Sequence, residues 1–149
     1  MIILFFGQPA SGKTTLAKKF IDLASFENNK YIHIDGDKWR EVTKNKDYSK
    51  EGRIANLKSA FAMAKYLDND GYVPVLSFVA PYNELRQYLC EGNKVGMIYL
   101  VYTENRARNN YFATDFEEPI GEFLQLNTSE LNVFECLDKI TKYLINFKK

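Results

Sequence analysis

Met1 to Phe6 is an unbroken apolar run, and it stops at Gly7-Gln8-Pro9-Ala10-Ser11-Gly12-Lys13-Thr14. A strand that is apolar at every position has no solvent face, the pattern of a parallel sheet covered on both sides by helices. The segment after it fits G-x-x-x-x-G-K-[ST] at Gly7, Gly12, Lys13 and Thr14. Glycines there let backbone N–H groups curl around phosphate oxygens. The lysine reaches the outer phosphates, and the threonine hydroxyl is placed for Mg²⁺. The pattern also has its required context, between a buried strand and a helix over 13–24 that carries Leu16, Phe20, Ile21 and Leu23. A Gly-rich turn without a ligand does not need that context. ATP and Mg²⁺ are therefore the expected cofactors, with Gly7, Ala10, Ser11, Gly12, Lys13, Thr14 and Thr15 as the ATP cradle.

The rest of the chain repeats the strand-then-helix alternation. Strands are expected at 31–34, 71–79 (with Pro74 blurring its start), 95–102 and 122–127. Helices are expected after Asp37, over 51–67 where Ile54, Leu57, Phe61 and Ala64 recur near a 3.6 period, over 82–89, and from Asn132 to about Asn146. Asn132 and Glu135 form a capping box for the last one. Alternating elements in one domain-sized chain of 149 residues predict an α/β fold. The expected architecture is a single three-layer α/β/α sandwich of the P-loop nucleoside-triphosphate hydrolase kind over 1–149, with a five-stranded parallel sheet. The irregular stretch 103–121 reads as a loop or lid.

The second strand ends in Asp35-Gly36-Asp37, with Arg40 three residues on. In α/β sheets the carboxyl ends of strands are where ligands sit. No N-K-x-D tetrapeptide marks a GTPase, since "NKD" at 45–47 lacks the intervening residue. No strand ends in the Asp-Glu of a motor ATPase. A P-loop facing an acidic strand end suits a small-molecule kinase, in which an acceptor hydroxyl is aligned with the γ-phosphoryl group and deprotonated. The lone His33, in mid-strand, reads as a packed or edge residue rather than a catalyst, and Trp39 as an anchor for the short helix. Cys90 and Cys136 have no metal-ligand spacing and read as reduced core thiols of a cytoplasmic protein.

"GQPASGKTTLA", "IDGDKWR", "EGRIANLK", "VLSFVAPYNELR" and "TSELNV" occur in this order, and the order resembles that of adenylylsulfate kinases. Members of that family phosphorylate the 3′-hydroxyl of adenylyl sulfate. The resemblance implies roles residue by residue. Asp35, with Thr14, would hold Mg²⁺, and Asp37 would be the base, so that Asp37, Lys13 and Asp35 form the catalytic set. Arg40, Arg53 and Asn56 would grip the acceptor nucleotide, alongside Ser77 and Pro81; Ser77, Pro81 and Tyr82 match the family's loop after the third strand. Tyr48 stands where the family stacks a phenylalanine on the substrate base, and Phe112 would be the other half of that clamp. A homodimer is the family habit. The chemistry agrees, because a nucleotide acceptor brings an oxyanion for arginine forks and a flat base for an aromatic ring.

Three departures from the family bear on the acceptor. The family's S-F-I-S-P-Y-R becomes "SFVAPYN", so Ala80 replaces a serine and Asn83 an arginine, and a phosphoenzyme through position 80 is excluded. The lid is cut to "ENRARNNYFATDFEEP", with no lysine from Val95 to Asp138, leaving Arg106 and Arg108 to cover the transferring phosphoryl group. A D-L-G-F-S stretch is compressed to "DYS". Adenylyl sulfate is then the default acceptor, with a relative such as cytidine diphosphoramidate, used in capsule modification, as the rival. A polynucleotide 5′-hydroxyl kinase and a non-catalytic ATP-binding module are the other readings. A net charge of +1 gives little sign of a basic groove for nucleic acid and no global field for a membrane surface. The expected partner is a small nucleotide.

Overall fold

A computed structural model describes residues 1–106 and 111–148. The elements run β1 (Ile2–Phe6), α1 (Lys13–Ala24), β2 (Tyr31–Asp35), α2 (Gly36–Thr43), α3 (Lys50–Asn69), β3 (Val73–Phe78), α4 (Asn83–Cys90), β4 (Val95–Val101), β5 (Leu124–Asn127) and α5 (Val133–Lys148). All five strands are parallel, in the order β2-β3-β1-β4-β5. β1 is central, and its residues alternate between two cores. Ile2, Leu4 and Phe6 join Leu57, Phe61 and Leu85 of α3 and α4. Ile3 and Phe5 join Leu16, Phe20, Leu137 and Ile140 of α1 and α5. That double burial is why every position of the strand is apolar.

The expected sandwich is thus the observed one, with element ends shifted by a residue or two. Pro74 lies within β3, opposite Ile32, but the ladder to β1 begins only at Val75, so its missing N–H breaks no bond there. The capping box forms: Glu135 N–H donates to Asn132 Oδ1 at 2.9 Å and Asn132 N–H to Glu135 Oε1 at 3.1 Å. Trp39 packs on the α3-side core and donates from Nε1 to Ser59 Oγ at 2.9 Å, tying α2 to α3. One expectation is corrected. Both thiols are free, but only Cys136 is buried; Cys90 is exposed. On the last turn of α4 the i, i+4 pair Leu85 and Leu89 takes the core-facing line, which turns the next residue outward. Among the described residues no helix is long and apolar enough to cross a membrane.

Candidate active site

The carboxyl ends of β1, β2 and β3 meet around a cleft of about 330 Å³, within the range of small-ligand sites. Its floor is the loop after β1. Gly7 takes φ 148°, and a Cβ there would lie 2.3 Å from the Leu100 carbonyl oxygen, so only glycine fits. Gly12 takes φ 102° and leads into α1, so the loop ends at a helix N-terminus, where backbone N–H groups favour anions. Lys13 Nζ folds over the loop, donating to the Gln8 carbonyl at 2.8 Å and to Ser11 Oγ at 3.3 Å.

Asp35, at the end of β2, is 9% exposed and caps α2 through the Lys38 N–H. Its Oδ1 accepts from Thr14 Oγ1 at 2.6 Å and Ser77 Oγ at 2.9 Å. Burial pushes this carboxyl up, but the bonds from Thr14, Ser77 and Lys38 outweigh it and hold the group below its ordinary range. Ser77 has one proton and gives it to Asp35, so His33 Nε2, 2.8 Å from Ser77 Oγ, must be the donor of that contact. His33 stands on the edge strand β2, and burial lowers its affinity for a second proton despite the nearby Asp35. It positions Ser77 rather than facing the cleft.

This donor set fits the expected cofactors. Gly7 and Gly12 both take positive φ, the backbone that a phosphate-wrapping loop needs. The Thr14 proton is committed to Asp35, so that hydroxyl offers lone pairs. Among the described residues no cluster of three His, Cys, Asp or Glu side chains forms a closed metal cage. Mg²⁺ needs none, because it takes one or two protein oxygens and completes its shell with phosphate and water.

The far wall comes from α2 and α3. Gly36 lets α2 start close against β3, since a Cβ would meet the Ser77 carbonyl oxygen at 3.1 Å. Asp37 is then in the first turn of α2, exposed toward the cleft. The Arg40 guanidinium lies 4.0 Å from the centre of the Tyr48 ring, and its Nη1 donates to the carbonyls of Asn45 and Asp47, fixing the α2–α3 loop. Arg53 Nη2 donates to the Tyr111 carbonyl at 3.2 Å, and Nη1 lies 3.7 Å from Asp115 Oδ1. Asn56 is buried, and its Oδ1 has no hydrogen-bond partner.

The segment 115–118 is fastened to the loop after β3 and to the start of α4. Tyr82 OH donates to Asp115 Oδ2 at 2.9 Å, and the Glu117 N–H to the Pro81 carbonyl at 2.8 Å. Asn83 donates from Nδ2 to the Glu118 carbonyl at 2.9 Å, while its N–H bonds Glu117 Oε1 at 2.7 Å. Arg86, 2% exposed, donates to the carbonyls of Ala80 and Glu117 between the Phe6 and Phe116 rings. Burial lowers the pKa of this guanidinium to about 10, so it remains charged at neutral pH.

Of the sequence-expected residues, Ala10, Gly12, Lys13, Thr14, Thr15, Asp35, Asp37, Arg40, Tyr48, Arg53, Asn56, Ser77 and Pro81 all line the one cleft. Gly7 and Ser11 are buried beneath it. Two expectations change. Phe112 is 43% exposed and does not line the cleft; Tyr111 does, with its ring 4.9 Å from Tyr48. Arg106 does not reach the cleft either. Its guanidinium stacks 4.3 Å from the Tyr102 ring, pairs with Glu104, and donates to the Ala10 carbonyl at 2.8 Å and Thr128 Oγ1 at 3.0 Å. Arg108 lies outside the described residues. The sequence reading missed Tyr111, Asp115 and the structural use of Asn83. The aromatic pair Tyr111-Phe112 was the only signal for the first.

Comparison with known proteins gives the family. The sequence model of the family described as adenylylsulphate kinase matches residues 1–110. The cytidine diphosphoramidate kinase of Campylobacter jejuni is 24% identical, covering 96% of this chain and 95% of its own length. An adenylyl-sulfate kinase of Staphylococcus haemolyticus is 27% identical, with 98% of this chain and 84% of that protein covered. In fold, an APS kinase from Mycobacterium tuberculosis, solved with AMPPNP and APS, superposes with a TM-score of 0.84 at 16% identity, over 96% of each chain.

Proposed function

The chain belongs to the adenylylsulphate kinase family, and from that premise we propose that it transfers the γ-phosphoryl group of ATP to the ribose 3′-hydroxyl of an adenylyl sulfate-like nucleotide. One observation carries this reading: Lys13 and Thr14 share a single cleft with Asp37, Arg40, Tyr48 and Arg53, so donor and acceptor machinery face each other. Lys13 supplies fixed positive charge to the phosphoryl oxygens as charge builds there. Thr14 and Asp35 would hold Mg²⁺, which when bound neutralises charge on the outer phosphates. Asp37 accepts the hydroxyl proton. Arg40 and Arg53 take the acceptor's anion. Asn56 Oδ1, buried and unpaired, accepts from a ribose hydroxyl or a base amino group, relieving the cost of a lone buried acceptor.

Tyr48 and Tyr111 flank the base in this reading. Their rings now touch at 4.9 Å between centroids, while a base between them needs about 7 Å, two contact distances. The clamp therefore opens when the base enters. A cytoplasmic location and a homodimer complete the proposal, the latter checked by sedimentation equilibrium.

A second acceptor, cytidine diphosphoramidate, is favoured by one specific observation. The Campylobacter jejuni relative is covered almost end to end, 95%, whereas the Staphylococcus haemolyticus one is covered over 84%. In overall extent this chain is thus nearer to the Campylobacter jejuni relative. An assay coupling ADP release to NADH oxidation, run with each acceptor in turn, distinguishes them. Turnover with adenylyl sulfate supports the first reading and turnover with the cytidine compound the second. Turnover with neither removes the substrate class.

A further inference from the structure

Gln8 belongs to the phosphate loop by position, and its side chain reaches out of the loop to Ala113. Its Nε2 donates to the Ala113 carbonyl at 2.7 Å, and the Ala113 N–H donates to Gln8 Oε1 at 2.9 Å. One amide thus satisfies both backbone groups of one residue, as a neighbouring strand would. Ala113 is 1% exposed, while Tyr111 and Phe112 before it are 42% and 43% exposed. It is the fixed point of an otherwise exposed stretch. Gln8 is held in turn, because Lys13 Nζ bonds its carbonyl and Tyr102 OH bonds that of Pro9, each at 2.8 Å.

Ala113 is two residues from Tyr111, the ring that must part from Tyr48 to admit a base. Arg53 tethers Tyr111 and Asp115 from the acceptor wall. Gln8 tethers the same segment from the phosphate loop, between those two points. We infer that Gln8 is a positioning residue for the acceptor: it pins the root of the Tyr111 segment to the phosphate loop and so sets how far that ring swings. This rests on the nucleotide-kinase reading above, because it presumes that Tyr111 meets the acceptor base. A side chain that only filled space would leave the ring's travel unchanged.

Gln8→Met keeps the volume and removes both bonds. Hydrogen exchange of the segment 111–116 is predicted to speed up in this variant, with no substrate present. The acceptor KM is predicted to rise about tenfold, the effect of two lost hydrogen bonds, while the KM for ATP stays within about twofold. Because Gln8 acts through Tyr111, adding Gln8→Met to Tyr111→Ala is predicted to raise the acceptor KM no further. Unchanged exchange, equal rises in both KM values, or additive effects would each overturn the inference. Should Gln8→Met not fold, Gln8→Ala removes both bonds without adding charge beside the phosphates and is predicted to show the same split. A wild-type chain that phosphorylates no nucleotide would remove the kinase reading instead, and the exchange comparison would still decide whether Gln8 anchors the segment.

Discussion

The two halves of the cleft are built differently. The donor half rests on element ends: Gly7 follows β1 directly, Lys13 opens α1, and Asp35 ends β2 beside Ser77 of β3. Its groups are placed by backbone that the sheet already fixes. The acceptor half is stitched by side chains across long separations, such as Arg53 to the Tyr111 carbonyl, 58 residues apart, and Gln8 to Ala113, 105 apart. A site of the first kind has little freedom to vary. One of the second kind is retuned by single substitutions, and Ala80, Asn83 and the short lid all fall there. On the proposed reading, the reaction and its substrate are specified by separable parts of this chain.

Substitutions sharpen or break that division. Lys13→Ala removes a fixed charge from the transferring group, and kcat is expected to fall about 10²- to 10³-fold in a radiolabel transfer assay. Arg53→Ala loses a charged donor to the Tyr111 carbonyl and its ion pair with Asp115; the acceptor KM is expected to rise about 10- to 100-fold, with the KM for ATP little changed. A comparable rise in the KM for ATP would blur the two halves into one. Tyr48→Ala removes a ring stacked on Arg40, for an increase of about fivefold in the acceptor KM, while Tyr48→Phe stays within about twofold in the same kinetics. Smallest is Asn83→Ala, expected to lower stability by about 1 kcal/mol in urea unfolding and to leave kcat almost intact.

The difference in construction also explains what the sequence disclosed. The apolar run Met1–Phe6 is a local pattern that became the buried central strand. Gly12-Lys13-Thr14 and the Asp35-Gly36-Asp37 strand end are local as well, and they line the cleft. The Asn132–Glu135 box is equally local, and it formed. Which of the adjacent aromatics Tyr111 and Phe112 turns inward is not local. It depends on where Gln8 and Arg53 hold the backbone, and no periodicity carries that. Asn83 shows the same limit. As a sequence position it was only a missing cation; in the fold its amide joins α4 to the Glu118 carbonyl and accepts from Arg86. Arg106 was expected over the phosphoryl group for its charge alone, but the Ala10 carbonyl and the Tyr102 ring hold it elsewhere.

The central claim, a proton-accepting Asp37 facing an intact ATP cradle, is tested most directly by single-turnover transfer from γ-labelled ATP. Wild type and Asp37→Ala are compared at saturating acceptor, with ATP affinity measured in parallel. The label is predicted to appear on the acceptor nucleotide with the wild type, and the variant to transfer it at least about 10²-fold more slowly with ATP binding unchanged. Transfer at the wild-type rate by Asp37→Ala, or ADP formed with no label on the nucleotide, would contradict the account.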